Sequence, residues 1–168
     1  MYQKELDAKL NNNVPIKAIL LYGEDSFLIG YYGDKIAKKL LSQDCDTYYF
    51  YFNDLVYENV CSCFLQESLF GNQSFVCLKI DKKIPKKELD KWLSILKKNQ
   101  SGYLVVEFYQ AENRNAAQYM QDCKAMAASF RGEDVFEARF FKPYLKDSLM
   151  ILQEYAKDLG VKISEFSL

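Results

Sequence analysis

Short apolar runs alternate with amphipathic stretches along the chain. Five runs of apolar and aromatic residues predict buried β-strands, at Ile16–Tyr22, Thr47–Phe52, Ser74–Ile80, Tyr103–Tyr109 and Val135–Phe140. A stretch with helical period follows each of them, over Phe27–Leu41, Leu55–Glu67, Lys86–Lys98, Asn115–Phe130 and from Pro143 onward. Apolar strands separated by helices pair in parallel and need cover on both faces. The pattern therefore predicts an α/β fold of three layers, with helices on both faces of a five-stranded parallel sheet.

The last predicted helix ends close to the end of the sequence. Its apolar positions are Leu145, Leu149, Leu152, Ala156 and Leu159. Gly160 is a typical residue at a helix end, and Ser164 with Glu165 resembles the start of another helix. We therefore expect the sequence to be a fragment of a longer protein.

Composition limits the chemistry that this chain can perform. It has 22 basic and 23 acidic residues, five cysteines and no histidine. Without histidine a Ser-His-Asp or Cys-His mechanism is excluded, and Cys61 and Cys63 are too close for an ordinary zinc site. We expect no metal and reduced thiols. No signal peptide and no run of about 20 apolar residues is present, which predicts a cytoplasmic protein.

Gly23 stands between the first strand and the first helix, where a nucleotide binds in many α/β folds. A P-loop needs G-x-x-x-x-G-K-[ST], so that backbone N–H groups and a lysine hold phosphate. Here the glycine spacing is wrong, no Lys-Ser or Lys-Thr follows, and Glu24 and Asp25 are negative. These acids suit a helix start, so the turn predicts a cap. A nucleotide-dependent enzyme with an unconventional phosphate site at Gly23–Ser26 remains the alternative.

A group of lysines follows the third predicted strand. Its members are Lys79, Lys82, Lys83, Lys86 and Lys87. Asp81 and Glu88 lie among them and no aromatic residue does, so a solvated loop is favoured over a nucleic-acid patch.

The sequence Ser68-Leu69-Phe70-Gly71 ends the helix predicted at Leu55–Glu67. Adjacent helical residues point about 100° apart, so Leu69 and Phe70 cannot both follow its buried stripe. One interpretation is a helix cap in which Gly71 takes the left-handed conformation. The other is an exposed apolar pair that enters a pocket on a partner. The residues alone leave both open.

Three segments together resemble the delta subunit of bacterial DNA polymerase III, the clamp-loader wrench. Leu20–Ile29 resembles the opening strand, turn and helix of that family. Ser68-Leu69-Phe70, just before a glycine and a strand, is similar to its clamp-binding motif. Ala138–Pro143, followed by a helix and Gly160–Ile163, is similar to the junction between its first domain and its lid.

The resemblance implies a fold and a function. Residues 1–142 would form an AAA+-like domain with a degenerate nucleotide site, and residues 143–168 the first helix and truncated start of a helical lid. Ser68, Leu69 and Phe70 would bind the sliding clamp, the beta subunit, and help open the ring during DNA replication. The chain would need no cofactor and catalyse nothing.

The same resemblance implies further partners. The delta-prime and gamma/tau subunits would bind through regions mostly absent here, and DNA would be contacted only indirectly. A delta-prime-type loader subunit is a further alternative. Its family carries a cysteine-based zinc module, for which Cys61 and Cys63 do not supply four ligands.

Overall fold

The computed structural model describes residues 1–41, 45–65, 73–98 and 102–161. Within them the strands are β1 (Ala18–Gly23), β2 (Cys45–Tyr51), β3 (Gln73–Ile80), β4 (Gly102–Phe108) and β5 (Val135–Phe140). The α-helices are α1 (Gln3–Asn11), α2 (Ser26–Leu40), α3 (Tyr57–Leu65), α4 (Lys86–Lys98), α5 (Ala116–Ala127) and α6 (Leu145–Asp158). All neighbouring strands pair in parallel, in the order β2-β3-β4-β1-β5. The predicted α/β class, with one parallel five-stranded sheet flanked by helices, is confirmed.

The direction of each crossover explains which helix covers which face. The connection from β1 to β2 runs along the sheet in one direction, and the connections from β2 to β5 run in the other. Right-handed crossovers in opposite directions place their helices on opposite faces. Accordingly, α3, α4 and α5 pack in one hydrophobic cluster, and α2 packs in a second cluster with α1 and α6.

Strand residues alternate between these two clusters. Leu20 and Val106 belong to the cluster under α3–α5, whereas Ile19 and Val105 belong to the cluster under α2. All four side chains are fully buried. A central strand that is buried on both faces is therefore apolar at nearly every position, which is the signal that predicted these strands.

Two local features differ from the sequence prediction. Helix α1 was not predicted, because only Leu6 and Leu10 of its nine residues are buried and the rest of the segment is polar. The helix predicted from Leu55 begins later in the structure. A short 3-10 helix occupies Phe52–Asp54, the Asn53 side chain accepts a hydrogen bond from Lys82 at 3.3 Å, and α3 begins only at Tyr57.

Helix α6 is held by a narrow buried stripe. Ile151 and Ala156 are buried, whereas 78% of Leu145 and 61% of Leu159 are exposed. The apolar stripe of α6 is therefore only partly buried by the described residues. Among the described residues, no helix has the length and apolar content that crossing a bilayer requires.

The end of β1 lies against the end of β5. Gly23 is paired with Phe140, and its φ of +144° is one that residues with side chains rarely adopt. A Cβ atom at Gly23 would lie 2.0 Å from the carbonyl oxygen of Phe140. Only glycine fits here without moving β5.

We therefore expect Gly23→Ala to lower the free energy of unfolding by about 3 kcal/mol or more, because it adds both a backbone clash and an unfavourable φ. Urea unfolding followed by circular dichroism measures this. Gly132→Ala is the matched control, since its Cβ would lie 3.4 Å from the Cβ of Val135, an ordinary contact. Equal stability of the two variants would contradict the assignment.

Candidate functional site

The predicted clamp-binding residues Ser68, Leu69 and Phe70 lie outside the described residues. The last described residue before them is Leu65, and the first described residue after them is Gln73. In a parallel sheet these two points lie at the edge where strands begin. The Gly23 turn lies at the opposite edge, where strands end. Leu65 and Gln73 are therefore separated from the Gly23 turn by the length of the sheet.

Helix α3, which leads into this segment, is firmly anchored. Val60, Cys61, Cys63 and Phe64 are buried in the cluster that also contains α4 and α5. Leu65, its last residue, is 63% exposed. The last residue of the helix is thus an exposed apolar side chain, three positions before Ser68 in the sequence.

At the other edge, the Gly23 turn stands at the topological switch point of the sheet. The crossovers that leave β1 and β4 pass to opposite faces, which opens a crevice between their ends. A cleft of about 240 Å³ lies here, lined by Gly23, Glu24, Ser26, Ile29, Gln110, Ala111 and Glu112. This is the position that a phosphate would occupy in a nucleotide-binding relative of the fold.

Three backbone N–H groups at this turn already donate hydrogen bonds to acceptors within the protein. The Gly23 N–H donates to the Tyr119 hydroxyl at 3.1 Å, and the Glu24 N–H donates to the Phe140 carbonyl at 2.8 Å. The Leu28 N–H donates to the Asp25 carboxylate at 2.9 Å. Asp25 is thus the N-cap of α2, as predicted.

Tyr119 links the ends of β1 and β4 beside the crevice. Its side chain is buried, and its hydroxyl donates to the Phe108 carbonyl at 2.6 Å while it accepts from Gly23. Its ring lies 5.0 Å from that of Phe108. Burial raises the pKa of the Tyr119 hydroxyl far above its ordinary value, so it stays protonated and keeps both bonds.

The charges around the cleft also oppose phosphate. Glu24 and Glu112 both line it, and the guanidinium of Arg139 lies 3.7 Å from the Glu24 carboxylate. No lysine is among the lining residues. A phosphate here would meet two carboxylates without the lysine that a P-loop supplies.

Glu107 is a buried carboxylate that sequence analysis missed. It is 0% exposed at the end of β4, next to Lys79, whose ammonium lies 3.1 Å away. The Tyr109 hydroxyl donates to Glu107, and the Cys77 thiol lies 3.6 Å from it. The signal was available, since Glu107 is the single charge within the apolar run at Tyr103–Tyr109.

Helix α2 rests directly on this carboxylate. A Cβ atom at Gly33 would lie 2.1 Å from Oε1 of Glu107. Burial raises the pKa of Glu107, and hydrogen bonds from Tyr109 and Lys79 oppose that rise. Because Lys79, Tyr109 and Cys77 are its hydrogen-bonding and charge partners, we assign Glu107 a structural role.

Three lysines of the group that follows the third predicted strand form ion pairs with acidic residues. Lys79 is bound to Glu107, Lys83 lies 3.4 Å from Asp122, and Lys86 is paired with Asp90. These pairs reduce the local positive charge that a nucleic-acid patch requires.

None of the five cysteines, all of them within the described residues, forms a disulfide, and all but Cys45 are buried. Cys61 and Cys63 lie in the packed face of α3. Among the described residues, no group of three or more His, Cys, Asp or Glu side chains has the arrangement of a metal site.

Two curated relatives are similar over nearly the whole chain. A protein of Helicobacter pylori (strain ATCC 700392 / 26695) is 33% identical over 174 aligned residues, which cover 98% of this chain and 51% of the relative. A protein of Helicobacter pylori (strain J99 / ATCC 700824) is 32% identical with the same coverage. No family model matches the chain. The chain thus spans about half the length of these relatives, and neither description names an activity.

Because the Gly23, Glu24 and Leu28 N–H groups are already bonded and two carboxylates line the cleft, we expect Mg²⁺ with ATP at millimolar concentration to leave the melting temperature unchanged. Differential scanning fluorimetry measures this, with Mg²⁺ alone as the control. A saturable rise with ATP would revive the nucleotide-dependent alternative.

A second prediction concerns Glu107. Because the pKa of Glu107 is raised, there is a pH range between its unfolded-state and folded-state pKa values in which the folded chain keeps a proton that the unfolded chain has lost. The free energy of unfolding therefore falls as pH rises through this range. This loss of stability disappears as pH falls below the ordinary glutamate pKa of about 4.3. Glu107→Gln cannot titrate. We therefore expect its free energy of unfolding, relative to the parent, to improve as pH rises from about 4 to 7.

Urea titrations at several pH values measure this difference. The matched control is Glu112→Gln, which makes the same substitution at an exposed carboxylate. A Glu107→Gln difference that is flat, or that falls with rising pH, would contradict the raised pKa.

Proposed function

We propose that this chain is the clamp-binding, AAA+-like part of a delta-type clamp-loader subunit of bacterial DNA polymerase III. Its Leu69–Phe70 pair inserts into an apolar pocket of the sliding clamp, and Ser68 precedes the pair at the contact. The observation that carries the proposal is the sequence Ser68-Leu69-Phe70-Gly71, which lies in the chain between Leu65, the end of the anchored helix α3, and Gln73, the start of β3.

Two features of the described chain support this proposal. The five-stranded parallel sheet suits the family's α/β domain. At the nucleotide position, the Gly23 and Glu24 N–H groups are bonded to Tyr119 and Phe140, and Glu24 and Glu112 line the cleft, which suits a subunit that hydrolyses no ATP. The proposed subunit is accordingly not an enzyme and uses no cofactor.

The mechanism needs only selective binding. Burying a leucine or phenylalanine side chain contributes about 1.5–3 kcal/mol. A ligand shifts the ring toward its open form only as far as it binds that form more tightly than the closed one. Ring opening therefore follows if the Leu69–Phe70 contact is better made on an open interface, while ATP hydrolysis belongs to partner subunits.

The remaining parts of the proposal follow the same family. Helix α6 is the first helix of a lid, and the delta-prime and gamma/tau subunits bind beyond it. The subunit works in the cytoplasm on DNA that the complete loader holds, and it touches that DNA only indirectly.

The test is the double variant Leu69→Ala with Phe70→Ala. We expect its affinity for the bacterial sliding clamp to fall roughly a hundredfold, because two buried apolar side chains are lost. Surface plasmon resonance on immobilised clamp measures the change.

Leu65→Ala is the matched control, since it removes an exposed apolar side chain at the end of the same helix. Its affinity should stay near that of the parent. Circular dichroism and thermal melting establish that all variants are folded. Unchanged affinity in a folded double variant would refute the proposed contact.

A further inference from the structure

Helix α6 is held on the domain by few buried side chains. Among its residues whose side chains are described, Ile151 and Ala156 are the buried ones, each 7% exposed. Helix α2, which covers the same face of the sheet, buries seven of its 15 residues. Because burial of apolar surface is the main favourable contribution to packing, α6 is bound to the domain less tightly than α2.

A contact between aromatic rings adds to this small buried stripe. Tyr155 of α6 meets Phe27 and Tyr31 of α2 edge-on, with centroid distances of 5.6 Å and 5.8 Å. Tyr155 is half-buried and Phe27 is exposed. The ring contact therefore lies at the surface of the domain, where water reaches it.

Lys35 of α2 supplies the third contact. Its ammonium lies 3.1 Å from the carboxylate of Glu154 on α6 and 3.5 Å from that of Asp7 on α1. The Tyr32 hydroxyl donates to Asp7 at 2.8 Å and so holds that carboxylate in place. Within the described residues, Lys35–Glu154 is the one ion pair between α6 and another element. One cation of α2 therefore joins α6 to α1.

We propose that α6 detaches from the domain as a unit while the sheet stays folded, and that the ion pairs of Lys35 set how often it does so. Segments with few buried apolar contacts open at a lower free-energy cost than the core of a domain. Detachment loses the burial of Ile151 and Ala156, the ring contact of Tyr155 and the pair with Glu154. It leaves the cluster under α3–α5 unchanged. This motion does not depend on the proposed clamp contact.

The ion pairs of Lys35 make the detachment sensitive to salt. The side chains of Lys35, Asp7 and Glu154 are 30%, 32% and 54% exposed, so dissolved ions reach all three charges. The screening length falls from about 30 Å at 0.01 M ionic strength to about 3 Å at 1 M. Exposed ion pairs stabilise proteins only modestly. We therefore expect salt to raise the detached fraction severalfold without unfolding the chain.

The test is amide hydrogen exchange of the 168-residue chain, read by mass spectrometry. We expect peptides from α6 to exchange at least about tenfold faster than peptides from β1 and β4. Low urea concentrations should barely change the α6 rate, because detachment exposes little surface. Raising the ionic strength from about 0.01 M to about 1 M should speed α6 exchange about two- to fivefold relative to peptides from α5.

Two variants remove the charges of this contact. Lys35→Met keeps the aliphatic stem and loses the ammonium, and Glu154→Gln removes the charge on α6. Each should raise α6 exchange about two- to fivefold at low salt and remove most of its salt dependence. Lys86→Met is the matched control, because it breaks the Lys86–Asp90 pair within α4. It should leave α6 exchange like that of the parent.

Two results would overturn the proposal. The first is α6 exchange that equals sheet exchange and rises with urea in the same way, because α6 then opens only when the whole chain unfolds. The second is a salt dependence of α6 exchange that persists in the Lys35→Met and Glu154→Gln variants, because other groups then carry it. Circular dichroism establishes that each variant is folded.

Discussion

The close backbone contact between Gly23 and Phe140 is the constraint on which the rest of the sheet depends. It closes the end of β1 against β5, and Tyr119 closes the same end against β4 through two hydrogen bonds. β1 is the strand at which the crossovers change face. Without a glycine at this position, β5 would have to move, and α6, which follows β5, would move with it.

This closure determines where a function can reside. In open parallel sheets the crevice at the ends of the strands is the usual ligand site. Here three of the N–H donors are bonded to Tyr119, Phe140 and Asp25, and these bonds stabilise the turn. The described residues on either side of the proposed Leu69–Phe70 contact, Leu65 and Gln73, lie at the opposite edge. A binding subunit needs a rigid base under its contact residues, and the sheet with α3 supplies one.

Glu107 shows a second constraint, on the face under α2. A buried carboxylate is costly unless it is hydrogen-bonded and paired. Lys79 and Tyr109 provide those partners, and Gly33 lets α2 approach the group. Replacing such a pair with apolar residues often leaves stability unchanged or higher. The pair therefore adds less to stability than its number of bonds suggests, while it fixes how α2 sits on the sheet.

The sequence by itself determined the fold class and the order of its elements, because strands buried on both faces must be apolar and helices must show their period. It also determined that Asp25 caps α2, since a cap depends on neighbouring residues. Helix α1 was not predicted from the sequence, because its two buried leucines give too weak a helical period. Only the tertiary structure decided that the Tyr119 hydroxyl accepts a hydrogen bond from Gly23, that Glu107 pairs with Lys79, and that β2 is an edge strand of the sheet. Those contacts join residues distant in the chain, and their distances depend on strand order, which no local pattern encodes.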